Sequence, residues 1–406
     1  MALILEDALA MLLEKVQILE TKRILLEDCY QRVLAEDIVA EMDFPPFDRS
    51  PLDGYALRMA DIKHATVENA AVLKQVDDVP AGSLPSKKIE TGQATRIMTG
   101  AKIPEGADAV IRLEDLEVQE EQVRIFAPAA SPNICRQGEE IRRGQVVLKK
   151  GTVLRDGALG ILAMLGHDQP LVYEQPKVAI LATGTELIAV NQPLVPGKIR
   201  NSNNYMLMAK VREAGCQPIL LGQVCDDLEL IAQKLANHKD IAMYITTGGA
   251  SVGDYDLMEQ LFAKLNIPLL FSRLAMKPGM PVMAGCWIDA LLVALSGNPA
   301  SANVSFEALL RPVLRKMAGA AVLERPTSRA KLKKAFNKPS QSRRFVWARC
   351  ECTDGILYAE PLGFQGNGML AGMLAANALL DIPANSDCLP MGTEVMAWLL
   401  VDEEGR

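Results

Sequence analysis

The sequence predicts a multidomain α/β protein built around a doubly wound, mostly parallel sheet. Three observations carry that expectation. Between residues 177 and 317, fully apolar runs alternate with helical patterns, as expected of strands covered on both faces by crossover helices. Before this region, residues 55–150 hold short β-branched runs separated by Pro/Gly turns. After Gly319 the alternation stops, and short strands and turns predict a small C-terminal β-barrel.

Taken in order, Leu3, Leu5, Leu9, Leu12, Leu13, Val16 and Leu19 fall at helical spacing and predict an amphipathic helix over 3–20. A second short helix is expected from Asp28 to Ala35. Pro45, Pro46 and Pro51 then forbid continued helix. Strands are expected at Val72–Val76, Thr95–Met98, Ala109–Arg112, Gln122–Phe126 and Val146–Leu148. The sheet region opens with Lys177–Ala182 as a strand, and continues with strands Pro218–Val224, Ile241–Thr246 and Leu291–Leu295. Helices Asn203–Ala214, Leu228–Asn237, Asp256–Leu265 and Pro299–Met317 lie between or after them. Four domains follow: a discontinuous helical linking domain (1–43 with 136–170), a β-rich domain (44–135), the α/β domain (171–321) and the barrel (322–406).

The net charge of −7, with nine Phe, seven Tyr and three Trp, argues against nucleic acid as a partner. A phosphate backbone calls for basic surface and single strands call for stacking rings. No apolar stretch approaches the ~18 residues of a membrane helix, and the N-terminus lacks the basic start of a signal peptide. Eight scattered cysteines, with no CxxC among them, point to a reducing, cytoplasmic setting.

In an open α/β sheet, ligands gather beyond the carboxyl ends of the strands. Here those ends carry Thr183-Gly184-Thr185-Glu186, then Asp226-Asp227, then Thr247-Gly248-Gly249-Ala250-Ser251 running on to Asp256, and Ser296-Gly297-Asn298-Pro299-Ala300-Ser301. Glycines let backbone N–H groups approach an anion closely. Glu186, Asp226 and Asp256 ring the same crevice and repel one another unless a cation sits among them; such oxygen donors suit Mg²⁺. Arg273 and Lys277-Pro278-Gly279 add positive charge suited to phosphate. Each loop alone is explained by turn chemistry; four on one edge point to a site.

These segments resemble the molybdopterin molybdenumtransferase family: bacterial MoeA, its plant counterpart and the gephyrin E domain. Gly248 to Asp256, Met276-Lys277-Pro278-Gly279-Met280-Pro281 and Ser296 to Ser301 carry the likeness. So do Phe47-Asp48-Arg49-Ser50-Pro51-Leu52-Asp53-Gly54-Tyr55-Ala56 and Arg96 to Gly106, in family order along nearly the whole chain. The resemblance implies a molybdopterin-binding sheet domain in an elongated homodimer, with the partner's β-rich domain closing the site. It implies that adenylylated molybdopterin and molybdate, with Mg²⁺, give molybdenum cofactor and AMP, and a molybdopterin adenylyltransferase as partner. Carried over by position, Asp53, Thr99, Asp226, Asp256 and Lys277 are the implied catalytic residues, and Asp256, Glu186 and Asp226 the implied metal ligands. Thr183, Gly184, Glu186, Gly248, Gly249, Ser251, Arg273, Pro278, Gly297, Asn298, Pro299, Ser301 and Arg349 are the implied substrate contacts.

The chain also departs from the family pattern. Thr185 stands where the family has Asp, Ser296 replaces Pro, Met280 replaces Lys, Trp347 replaces an Arg and Asn367 a Ser. Arg349 replaces the missing Arg if the strand register shifts by two, which keeps its face. Nine cations and no acid lie between Arg325 and Arg349, read either as a solvated strand face or as an electropositive rim for an anionic substrate. The departures keep open a non-catalytic pterin-binding or scaffolding protein, and molybdate cannot be told from tungstate at this level.

Overall fold

The computed structural model describes residues 2–238, 240–249, 257–363, 366 and 370–400. The chain forms two compact units: Asp37–Lys149, and the flanking segments together.

In the Asp37–Lys149 unit the β-branched runs pair into one six-stranded sheet, in the order 109–112, 54–57, 93–97, 71–79, 122–125, 116–119. Apolar residues on both faces build two cores, one around Tyr55, Leu57, Leu73 and Val123, the other around Ala56, Val79, Ile97 and Val110. Strand Ile38–Val39 pairs antiparallel with Val146–Leu148 and brings the two ends of the unit together.

The larger unit opens with helix Leu5–Lys15, whose Leu5, Ala8 and Leu12 are buried. It is shorter than the spacing predicts, because the chain turns extended at Val16 and Thr21–Arg23 pairs with Leu171–Tyr173. No helix forms over Asp28–Ala35 either. A single 3₁₀ turn at Leu26–Asp28 is followed by Gln31 at φ 61° and by bridges from Val33 to Val153 and Leu34 to Val172. Tertiary pairing outweighs local helix propensity there.

The α/β sheet contains β1 (Lys177–Thr183), β2 (Gln217–Val224), β3 (Met243–Thr247), β4 (Leu269–Arg273), β5 (Pro281–Trp287) and β6 (Ala290–Leu295), in the order β2-β1-β3-β6-β5-β4. The first four neighbours are parallel; β5 runs antiparallel to β6 and to β4. Successive residues face opposite cores. Val178, Ile180, Ile245 and Val293 pack with helices Asn203–Glu213 and 299–317, while Ala179, Leu181, Tyr244 and Leu292 pack with Leu228–Ala236 and Leu257–Lys264. The parallel direction puts the ends of β1, β2, β3 and β6 on one edge, and β4 ends there too.

Strands 343–353, 356–361, 327–332, 394–399 and 378–382 close into a five-stranded barrel. Along strand 343–353, Val346, Ala348 and Cys350 fill its interior, whereas Phe345 and Trp347 face outward into the core shared with the sheet domain. A buried ion network locks this seam. Glu307, fully buried in the π-helical turn Phe306–Leu310, pairs with Lys210 and accepts from Arg325 Nε at 3.0 Å and Nη2 at 3.1 Å. Arg325 also holds Glu213 at 2.5 Å. Arg311 Nη1 and Arg315 Nε donate to the Leu323 and Val322 carbonyls of the same connection.

Burial alone would raise the Glu307 carboxyl pKa, but the Lys210 and Arg325 charges outweigh it and hold it at about 2. A pKa depressed on folding stabilises the fold above the unfolded value and loses that contribution as pH falls through the folded one. Stability should therefore decline between pH 4.5 and about 2. Glu307→Gln, which strands buried cations, should cost about 3–5 kcal/mol at neutral pH and flatten that decline, read by urea denaturation.

Candidate active site

The loops beyond β1, β3 and β6 interlock through close backbone approach. Gly248, at φ 96°, passes so near β1 that a Cβ there would lie 2.1 Å from the Thr183 carbonyl oxygen. A Cβ on Gly297 would lie 3.3 Å from Gly248 Cα. Glycine is required at 248, where a Cβ would strike β1, and at 297 it relieves a tight approach to Gly248. Thr183 is buried and its Oγ1 donates to the Thr247 carbonyl at 3.4 Å. Gly249, at φ 67°, packs beside Thr183 Oγ1, and Gly184 leaves room for the Glu186 carboxylate folded over it.

Around these ends lies a cavity of about 60 Å³ lined by Thr183, Glu186, Asn203, Thr247, Gly297 and Pro299, with Arg200, Asn201 and Ser202 on its wall. Asn203 donates from Nδ2 to the Gly297 carbonyl at 2.8 Å, and its Oδ1 is buried without a partner among the described residues. Asn201 Oδ1 accepts from Asn204 N–H at 3.2 Å, and Asn204 Nδ2 donates to the Gly222 carbonyl. Sequence reading took 203–214 only as a helix and passed over this run of amides. Its signal was the concentration of Asn at 201, 203 and 204.

Asp226, beyond β2, is exposed and tied to the β1 loop. Its Oδ2 accepts from Thr185 N–H and Thr185 Oγ1, both at 3.0 Å. The Thr185 departure thus has a physical consequence, since a hydroxyl donor faces Asp226 where a carboxylate would repel it. Ser296 likewise serves its loop: Asn298 N–H donates to Ser296 Oγ at 3.2 Å, with Pro299 at the first helical position and Ser301 buried.

A second cavity lies at the seam with the barrel, lined by Lys277, Pro278, Ala300, Lys338, Arg344 and Trp347 among others. Pro299 faces the first cavity and Ala300 the second, so one helix start separates the two. Gly279, at φ 99°, shapes the loop: a Cβ there would lie 2.5 Å from Ser305 Oγ. Arg273 ends β4 on the same sheet edge, exposed.

Arg349 lies opposite Glu360, is exposed and pairs with Glu351 at 3.2 Å; it is not among the residues lining the cavity that Trp347 lines. Asp53 and Thr99 belong to the other unit. Strands 54–57 and 93–97 pair with Gly54 opposite Ile97, which carries Asp53 and Thr99 together. Asp53 Oδ1 accepts from Thr99 N–H and Thr99 Oγ1, both at 2.7 Å. A Cβ on Gly54 would strike the Ile111 carbonyl, so the turn admits only glycine there. Ser251, Asp256 and Asn367 lie outside the described residues.

Hard oxygen donors at Glu186 and Asp226 fit a Mg²⁺ ion that takes its remaining ligands from phosphate and water. Among the described residues no three acidic, His or Cys side chains cluster as a closed metal cage.

Three family profiles match in chain order: the MoeA N-terminal region (domain I and II) over residues 3–166, the probable molybdopterin binding domain over 179–316, and the MoeA C-terminal region (domain IV) over 329–400. A molybdopterin molybdenumtransferase of Bacillus subtilis is 39% identical over 393 residues, covering 95% of this chain and 91% of its own. The chain belongs to the MoeA family. A molybdopterin molybdenumtransferase of Staphylococcus aureus is 37% identical, with 89% of this chain and 87% of its own covered. The crystal structure of a MoeA protein of molybdopterin biosynthesis from Pyrococcus horikoshii superposes with a TM-score of 0.81 at 33% identity, over 98% of this chain and all of that one. Its multidomain MoeA architecture, with the molybdopterin-binding type of sheet domain, is the one described above.

Asp53 titrates below the ordinary carboxylate range because the Thr99 N–H and then the Thr99 hydroxyl stabilise its charged form. Thr99→Ala, which removes the hydroxyl and keeps the N–H, should raise the Asp53 midpoint part of the way back, as followed by carboxyl NMR against pH.

Proposed function

We propose that the chain is a molybdopterin molybdenumtransferase, joining molybdate to adenylylated molybdopterin with release of AMP. The observation that carries this reading is the meeting of Thr183, Gly248 and Gly297 at one sheet edge, in a member of this family. The glycine-lined loops bring backbone donors close to an anion. Asn203 and Thr183 offer polar groups that orient the organic part, and the β1 and β2 loops are fixed to each other by Thr185 and Asp226. Glu186 and Asp226, with Asp256, would hold Mg²⁺, which when bound neutralises charge at the scissile pyrophosphate. Asp53 and Thr99 act from the β-rich unit of a homodimer partner, with a molybdopterin adenylyltransferase supplying substrate in the cytoplasm. No described helix is long and apolar enough to cross a membrane.

Purified protein given adenylylated molybdopterin, molybdate and Mg²⁺ should release AMP; bound substrate without release would overturn the proposal. Asp226→Asn keeps an oxygen for Thr185 and should fold normally while losing at least about tenfold in turnover, as should Asp256→Asn. Complementation of a bacterial strain lacking its own molybdenumtransferase tests the reaction in the cell.

A further inference from the structure

Every polar group of Thr185 is engaged. Its N–H and its Oγ1 both donate to Asp226 Oδ2 at 3.0 Å, and its carbonyl accepts from Lys198 Nζ at 2.6 Å. Asp226 N–H returns a bond to Thr185 Oγ1 at the longer distance of 3.5 Å. The second carboxylate oxygen, Asp226 Oδ1, takes no hydrogen bond among the described residues.

Backbone pairing sets these partners against each other. β1 and β2 stay paired to their ends, with Thr183 opposite Val224. Gly184 N–H donates to the Val224 carbonyl at 3.1 Å, which carries the pairing one residue beyond β1. Thr185 and Asp226 are each the second residue out. Leu187 N–H closes back on the Gly184 carbonyl at 3.1 Å, so Thr185 and Glu186 are the central residues of one tight turn. Ile199 N–H donates to the Glu186 carbonyl at 2.9 Å, so the returning segment ties down the same turn. The turn that brings Glu186 to the first cavity therefore also carries the clamp on Asp226. Little of this serves the core. Thr185, Glu186 and Asp226 are all exposed, and a hydrogen bond within reach of water adds little stability because water replaces it. Its effect is orientation. An exposed aspartate carboxylate turns about two side-chain torsions, whereas two donors on one oxygen select one orientation and leave the other oxygen unspent.

We propose that Thr185 is a positioning residue, whose hydroxyl holds Asp226 in one orientation relative to the Glu186 turn and so presets Asp226 Oδ1 as a ligand for a divalent cation. The assignment rests on the reading above in taking Mg²⁺ as a participant. Thr185 acts through Asp226 and ligates nothing itself. Orientation fixed in the free protein lowers what binding must otherwise spend on ordering the side chain. A carboxylate at 185 would repel Asp226, and the cation would have to draw the pair together. With a hydroxyl there, the arrangement precedes the cation.

Mn²⁺, a paramagnetic stand-in for Mg²⁺, is the probe. Its binding to the full chain in the presence of AMP, followed by electron paramagnetic resonance, should weaken about tenfold in Thr185→Val, as loss of a charge-assisted hydrogen bond does. That variant keeps the shape and the backbone N–H and loses only the hydroxyl. Thr185→Ser, which restores the hydroxyl, should bind Mn²⁺ like wild type. In the AMP-release assay Thr185→Val should raise the Mg²⁺ concentration giving half-maximal rate by the same factor, with kcat at saturating Mg²⁺ nearly kept. Urea midpoints of the three proteins should coincide. Unweakened Mn²⁺ binding in Thr185→Val, an equal loss in Thr185→Ser, or no Mn²⁺ binding by the wild-type chain overturns the assignment. So does a lowered urea midpoint in Thr185→Val, which makes the hydroxyl structural. Hydroxyl-dependent Mn²⁺ binding without AMP release refutes the reaction and leaves the positioning role standing. AMP release with the same Mg²⁺ dependence in Thr185→Val refutes the positioning role and leaves the reaction standing.

Discussion

The fully buried Glu307 is the constraint on which the larger unit depends. A carboxylate taken out of water is tolerated only when cations satisfy it, and here they come from two directions. Lys210 reaches it from the helix that also carries Asn203, and Arg325 from the connection into the barrel. One charge therefore fixes the helix that follows the Ser296–Pro299 loop, the helix that walls the first cavity, and the barrel that walls the second. The π-helical turn at Phe306–Leu310 belongs to the same arrangement, because Glu307 lies within it.

Close backbone approach is the second constraint. At the sheet edge the loops are held by the absence of side chains as much as by contacts. Gly248 lies so close to Thr183 that no Cβ can enter between them, and a Cβ on Gly297 would press tightly on Gly248. Thr185 with Asp226, and Ser296 with Asn298, add the hydrogen bonds that glycine cannot supply.

The parallel strands were legible in the sequence because burial on both faces leaves uninterrupted apolar runs, as in Val178 to Ala182. Strands β4 and β5 were not. β5 contains Gly285, pressed against Ile267 and Pro268, and a glycine in a short run reads as a turn. The residues near Asp28–Ala35 misled for the opposite reason, since their pattern is local while their pairing to Val153 and Val172 is not. In the site, glycine and proline loops announced themselves, whereas Asn203, Lys338 and Arg344 become functional candidates only through partners far away in sequence. The basic run was ambiguous because charge type along a chain does not tell which cations meet carboxylates. Six do, and the two that line the seam cavity do not.

Two cavities flanking one helix start offer a solution to an electrostatic problem that the proposed reaction poses. An anionic nucleotide and an oxyanion repel, and a single basic cleft would hold both by the same charges and leave them in competition. Here the means differ. The sheet-edge cavity uses glycine backbone, amides and a hydroxyl, with the Glu186 carboxylate in its lining. The seam cavity has Lys and Arg, with no acid lining it among the described residues. Because Pro299 and Ala300 are consecutive on a helix anchored by Glu307, the separation of the two cavities is set by covalent geometry. The barrel must therefore stay docked for the seam cavity to exist, which gives the buried ion network a part in shaping it.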